Sequence, residues 1–172
     1  MYRQLFITPK PVSPESHKLN SQTSIATGSN VGLGLECCRE HLNIGLDRLI
    51  MAVRGEDKGN IARLQLIREA PQANIEVWKL DISFYNSVMA FAKRCKSLQR
   101  LDFAILNANV LKTHMVINAE TQYDEALQVN YLSTALLTIL LLPVLQVKMS
   151  SLRPGRLAIV GSETSALSNF NG

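Results

Sequence analysis

A chain of 172 residues, 47% of them hydrophobic and 19% charged, has the length of a single domain and the composition of a globular protein. A second full domain has no room, and disorder over most of the chain is excluded. The net charge of +4 comes from basic residues scattered along the sequence, a pattern that argues against a nucleic-acid-binding patch.

Pro9, Pro11 and Pro14 remove backbone donors and favour extended conformations, so residues 1–20 are expected to form an arm ahead of a domain over 21–172. The arm has no sustained apolar run, and no signal peptide is expected. Short apolar or β-branched runs then alternate with stretches of helical period, the signature of repeated βα units and a parallel sheet. The strands are predicted at Thr23–Thr27, Arg48–Arg54, Ile75–Leu80, Leu101–Leu106 and Arg156–Val160.

After the first strand, Val31, Leu35, Cys38 and Leu42 trace one face of a helix that Gly45 is placed to end. Ile61, Leu64 and Ile67 mark a weaker helix between the second and third strands. Phe84, Val88, Phe91, Cys95 and Leu98 repeat the helical spacing, with Ser83 placed as cap. A long helix is predicted from about Thr121 to Leu145, its C-terminal half apolar nearly all round and therefore buried against the sheet or a partner subunit. Its greasiest run, Leu136 to Leu145, is shorter than the roughly 18–20 residues of a membrane span and contains Pro143, so no membrane partner is expected. Cys37, Cys38 and Cys95 are too few for a disulfide scaffold and form no CxxC or Cys/His cluster. The expectation is a cytoplasmic protein without a metal site. His17, His41 and His114 are scattered and are assigned surface or packing roles.

The densest chemical signal is Thr27-Gly28-Ser29-Asn30-Val31-Gly32-Leu33-Gly34, at the turn from the first strand into the first helix. Glycines there allow a tight turn and close approach of a pyrophosphate, while the free N–H groups and positive dipole end of the helix attract the anion. The spacing GxxxGxG differs from GxGxxG, and a glycine cluster after a strand also serves as a plain turn.

This segment resembles the cofactor loop of the short-chain dehydrogenase/reductase family, and later landmarks follow in that family's order. Asp81, in Lys79-Leu80-Asp81-Ile82-Ser83, resembles its adenine-contacting aspartate. Leu106-Asn107-Ala108-Asn109 resembles its Asn-Ala-Gly element, Gln128-Val129-Asn130 the site of its structural and catalytic asparagine, and Ile159-Val160-Gly161-Ser162 the strand leading to its catalytic serine. The flavour of the sequence, with Leu-Leu-Leu-Pro closing the long helix, is similar to the fungal branch found in secondary-metabolite pathways. Each landmark has a plainer alternative: Asp81 as a helix cap, Asn130 as a core amide bonded to backbone, Ser162 as a commonplace strand-end serine.

The resemblance implies a Rossmann-type doubly wound parallel sheet of strand order 3-2-1-4-5, lacking the family's last strands, with its fifth strand an open edge inviting a homo-oligomer or another partner. It implies hydride transfer between nicotinamide and a carbonyl or secondary alcohol of a small molecule, Ser162 orienting the carbonyl oxygen and Asn130 supporting a water relay. NADP is the expected cofactor. A site for NAD ends its second strand with a carboxylate, whereas Met51-Ala52-Val53-Arg54 ends in a guanidinium suited to a 2′-phosphate, with Lys58 nearby; the alternative for Arg54 is a solvated strand end. The sequence departs from the family in two places. Asn109 replaces the glycine of Asn-Ala-Gly, and no Tyr-xxx-Lys follows Ser162, which removes the family's proton donor. A second reading is therefore a non-catalytic nucleotide-binding or interaction protein derived from that family. A methyltransferase-like Rossmann domain is disfavoured by the missing acidic residue after the second strand.

Overall fold

The computed structural model describes residues 18–148 and 154–162. Its elements in chain order are β1 (Thr23–Thr27), α1 (Gly32–Asn43), β2 (Arg48–Val53), α2 (Glu56–Glu69), β3 (Asn74–Lys79), α3 (Tyr85–Cys95) and β4 (Phe103–Leu106). There follow α4 (Glu125–Leu127), a π-helical turn (Gln128–Ser133), α5 (Thr134–Lys148) and β5 (Arg156–Ile159). The five strands are all parallel, in the order β3-β2-β1-β4-β5. This is the doubly wound, Rossmann-like arrangement, and the expected strand order is the observed one.

Both faces of a parallel sheet are covered, so its strands read as unbroken apolar runs whose alternate residues serve opposite layers. Ile25, Ile50, Ala52 and Trp78 join Val88, Phe91 and Cys95 of α3 and Leu137, Leu141 and Val144 of α5 in one core. Ala26, Leu49, Met51 and Ile75 join Cys38 and Leu42 of α1 and Ala62 and Leu66 of α2 in the other. Gly45 ends α1 as expected: at φ +89° its N–H donates to Leu42 O, and the Leu46 N–H reaches back to His41 O.

Several expectations need correction. The buried face of α2 is Gly59, Ala62 and Leu66, while Ile61 and Leu64 stay exposed. Small residues let the helix approach so closely that a Cβ on Gly59 would stand 2.7 Å from Val53 Cγ2 and 2.8 Å from Val77 Cγ1. Val31 and Phe84 are N-caps of α1 and α3 with exposed side chains, so neither faces the core. Ser83 makes no cap bond to α3. The long helix begins at Glu125, not Thr121, because the Asp124 carboxylate accepts the N–H groups of Ala126 and Leu127. Upstream, Val116–Glu125 folds back as a small hairpin, and Asn118 pins it by donating to Ser83 O.

From Glu125 the helical rod runs 23 residues to Val147 and contains an 18-residue stretch of mean hydropathy 1.6, long and apolar enough by composition to cross a membrane, unlike the shorter run read from sequence. Here Leu137, Leu141, Val144 and Leu145 are packed in the core beside the sheet. Of the proposed arm, residues 1–17 lie outside the described residues. Leu19 is buried, with its N–H donating to Ile44 O.

Candidate cofactor-binding cleft

A cavity of about 470 Å³ opens where β1, β2, β3 and β4 end. In a doubly wound sheet the crevice beside the strand where the winding reverses lies at these carboxyl ends, and here that strand is β1. The wall on the β1 side is Gly28, Asn30, Val31 and Leu33; Ala52 and Arg54 come from the end of β2, and Leu80, Asp81, Ile82 and Ser83 from the segment after β3. Asn107, Ala108, Asn109, Val110 and Val129 close the other side.

The glycines of the loop do different jobs. Gly28 has φ +62°, and a Cβ there would meet Ala108 Cα at 2.9 Å, so it allows both the turn and the approach of β1 to the segment after β4. Gly32, at φ +57°, has nothing within 4 Å of a Cβ position, which leaves the start of α1 bare. A Cβ on Gly34 would stand 2.5 Å from both Asn107 Nδ2 and Gly28 O. Its smallness therefore serves protein packing. Val31 caps α1 without a side-chain bond, and the first turn holds no acidic residue, so the leading N–H groups and the dipole are left for an external anion.

Thr27 stitches the wall together. Fully buried, its Oγ1 accepts the N–H groups of Asn107 (3.0 Å) and Ala108 (2.9 Å), while Asn107 Nδ2 donates to Thr27 O at 3.2 Å. Ser29 is also buried, its hydroxyl beside the Cys38 thiol; burial, and then the neighbouring Cys37, push that thiol up to about 12, so it stays protonated. Asp81 lines the cavity, and its Oδ1 accepts the Ser83 N–H at 3.0 Å in a turn before α3, so it does not cap that helix as the plainer reading had it. Asn109 takes no left-handed backbone; its Nδ2 donates to Asn107 O at 3.2 Å, placing the side chain on the cavity wall.

Asn130 is not a core amide. It is exposed, and it grips Val110 at both backbone atoms, Oδ1 accepting the N–H at 2.9 Å and Nδ2 donating to O at 2.8 Å. Val110 and Val129 reach the cavity, whereas Asn130 does not line it. Ser162 is exposed beyond β5 and outside the lining; the Val160 N–H to Leu106 O bond carries the β4–β5 pairing to within two residues of it. Lys58 and Gly32 line a separate groove between α1 and α2, together with Val31, Leu35 and Ile61. The structure thus gathers Gly28, Asn30, Val31, Leu33, Arg54, Asp81 and Asn107 on the wall of one cavity and leaves Thr27, Ser29, Gly32, Gly34, Lys58, Asn130 and Ser162 off it. Sequence reading missed Ala52, Leu80, Ile82, Val110 and Val129 as wall residues. Their signal is position alone, at or just after strand ends or beside a motif residue.

Fold and cleft together define a Rossmann-like domain of the dinucleotide-binding class. A sequence family described as short chain dehydrogenase matches residues 22–172, and the chain belongs to that family. Short-chain dehydrogenase fogG of Aspergillus ruber is 44% identical over 171 residues, 98% of this chain and 49% of that protein. Short chain dehydrogenase virL of Hypocrea virens is 51% identical over 148 residues, 86% of this chain and 43% of that protein. The chain spans about half the length of these curated relatives. Among solved structures, an Escherichia coli CFT073 protein assigned as a short chain dehydrogenase and complexed with NADPH superposes with TM-score 0.71 at 25% identity, covering 88% of this chain and 62% of that one. The family binds a nicotinamide cofactor, and both of these relatives are fungal.

Proposed function

We propose that this chain holds NADP(H) and forms the cofactor-binding part of an oxidoreductase that moves a hydride between nicotinamide and a carbonyl or secondary alcohol of a small molecule, in secondary-metabolite chemistry. The observation that carries the choice of NADP(H) is Arg54. It lines the cavity at the end of β2, where a carboxylate would favour NAD, and a guanidinium offers a planar fork to a 2′-phosphate.

The dinucleotide fits the bare start of α1: Gly32 leaves open space, and the leading N–H groups of Gly32, Leu33 and Gly34 have no partner within the helix. Ser29, Asn30 and Val31 shape that loop, with Thr27 and Asn107 holding it against β4. Asp81 and Ile82 form the adenine side, and Lys58 adds positive charge from the adjoining groove. When bound, the cofactor supplies the hydride. Asn130 fixes Val110 and is the residue assigned to support a water relay, and Ser162 is the residue assigned to orient the substrate oxygen.

Titration of NADPH and NADH by calorimetry on the chain and on Arg54→Ala tests this. Charge-assisted bonds to phosphate predict that the substitution weakens NADPH by about 10- to 100-fold and leaves NADH within about twofold. Equal affinity for both cofactors, unchanged in Arg54→Ala, refutes the reading. The second reading is a nucleotide-binding protein of this family without turnover. Tight NADPH binding without carbonyl reduction would identify that case.

A further inference from the structure

The turn Gln128–Ser133 is wound as a π-helix, a form that persists where side chains or function hold it. Two side-chain bonds span it. Gln128, fully buried, donates from Nε2 to Ser133 Oγ at 2.8 Å. Thr134 Oγ1 donates to Val129 O at 2.9 Å. Each bond links residues five apart, the period of the wide turn and not of an α-helix. Gln128 Oε1 meanwhile has no partner although it is buried, so this amide is not placed for its own satisfaction.

What the wide turn delivers is an angle. One extra residue per turn rotates everything ahead of it by about 100° relative to a continuous α-helix. α5 is anchored behind the turn by Leu137 and Leu141, both fully buried. Relaxation of the turn to α-helix would therefore swing Asn130 away from Val110 while α5 stays in place. The Val110 grip is two bonds, and Val110 and Val129 both stand on the cavity wall.

We propose that Gln128 and Ser133 are positioning residues for the cleft: their buried hydrogen bond fixes the wide turn that aims Asn130 at Val110 and so holds the Asn107–Val110 wall. The cofactor consequence rests on the reading of the cleft as an NADP(H) site; the positioning itself does not.

Three variants of the full chain test it: Ser133→Ala, the double Gln128→Met/Ser133→Ala, and Asn130→Ala. The double variant replaces both partners by apolar groups of similar size and leaves no unpaired polar atom, so its unfolding midpoint is expected near that of the parent. Val110 amide hydrogen exchange, followed by NMR, should nevertheless accelerate about tenfold, with Ile25 and Ala104 in the sheet as unchanged controls. The NADPH dissociation constant should rise about five- to tenfold, as in Asn130→Ala, and adding Asn130→Ala to the double should change it by less than about twofold further. Val110 exchange within about twofold of the parent in the double variant overturns the proposal. So does a Ser133→Ala protein that melts lower with Val110 exchange unchanged, which would make the pair structural only. If the double fails to fold, Ser133→Ala is read by the same two measurements. Should the parent bind no NADPH, the cofactor reading fails, and Val110 exchange alone decides the positioning.

Discussion

Gly34 and Gly32 lie two residues apart in the same loop, yet the structure assigns alanine different main consequences at the two positions. A Cβ on Gly34 would stand 2.5 Å from Asn107 Nδ2 and from Gly28 O, the latter a backbone atom that cannot swing aside. Accommodation means pushing Asn107 away, which breaks its 3.2 Å bond to Thr27 O and strains the two Thr27 Oγ1 bonds beside it. Overpacking of this kind costs about 1–3 kcal/mol, and a lost amide bond about 1 kcal/mol more. Gly34→Ala should therefore destabilise the cofactor-free chain by about 2–4 kcal/mol, a fall in melting temperature of about 4–16 °C for a chain of this size. Gly32→Ala meets nothing within 4 Å and bears only the left-handed backbone at φ +57°, about 1–2 kcal/mol. Its methyl projects into the open space at the start of α1, so NADPH binding should fall out of proportion to stability. Urea unfolding of the cofactor-free proteins and fluorescence titration with NADPH read the two effects separately. A Gly34→Ala protein as stable as the parent would refute the reasoning, because the clash involves backbone of the loop itself.

Thr27→Val keeps the shape of a buried side chain but leaves the Asn107 and Ala108 N–H groups without their acceptor. It should cost about 2 kcal/mol, seen as a melt about 4–8 °C lower, and weaken NADPH through the displaced wall. His41 is held below its ordinary pKa by burial, with its ring edge-on to Phe103 at 5.7 Å. The folded state then binds its proton less readily than the unfolded state, so the associated stability is present above about pH 6.5 and is lost as the pH falls. Urea unfolding from about pH 7.5 to 5 should show that loss, and His41→Phe should flatten it. For turnover, reduction of a carbonyl leaves an alkoxide needing a proton, and a positioned general acid supplies about 10²–10⁴-fold. With ketones and aldehydes this chain should oxidise NADPH at least about a hundredfold more slowly than a version carrying a family Tyr-xxx-Lys segment. Comparable rates would show that an acid within these 172 residues does the work.

The sheet was legible because each parallel strand carries its own evidence. Leu49-Ile50-Met51-Ala52 is apolar at every position since neighbours alternate between the two cores, and no exposed strand would keep that run. The face of α2 was not legible, because counting large apolar residues selects Ile61 and Leu64, whereas close packing against Val53 and Val77 selects Gly59 and Ala62. The wide turn hid for a different reason: Gln128, Ser133 and Thr134 read as ordinary helix residues until their five-residue bonds are seen. In the cleft, Thr27 to Gly34 and Asp81 stood out by residue type, but the division of labour among the glycines depends on Ala108 and Asn107, about eighty positions away. Val110 and Val129 carry no chemical signature and are defined only by where Asn130 holds them.

The β1–β4 seam explains why these scattered residues act together. It is the line along which the winding reverses, so no single helix bridges it on the cleft side, and its two strands come from distant parts of the sequence. Side chains clamp it at both ends. Below, the Asp102 carboxylate accepts the Thr23 N–H at 2.9 Å and is itself held by the Arg100 guanidinium at 2.7 Å, while the Asp102 N–H returns to Thr23 O. Above, Thr27 Oγ1 takes the two N–H groups that follow β4. With the seam fixed at both ends, the parts left to adjust to a ligand are the start of α1 and the Asn107–Val110 wall. The first is freed by Gly32, and the second is restrained by Asn130, whose angle the wide turn sets. Cofactor affinity in this chain should accordingly respond to changes buried in the turn as strongly as to changes in the glycine loop itself.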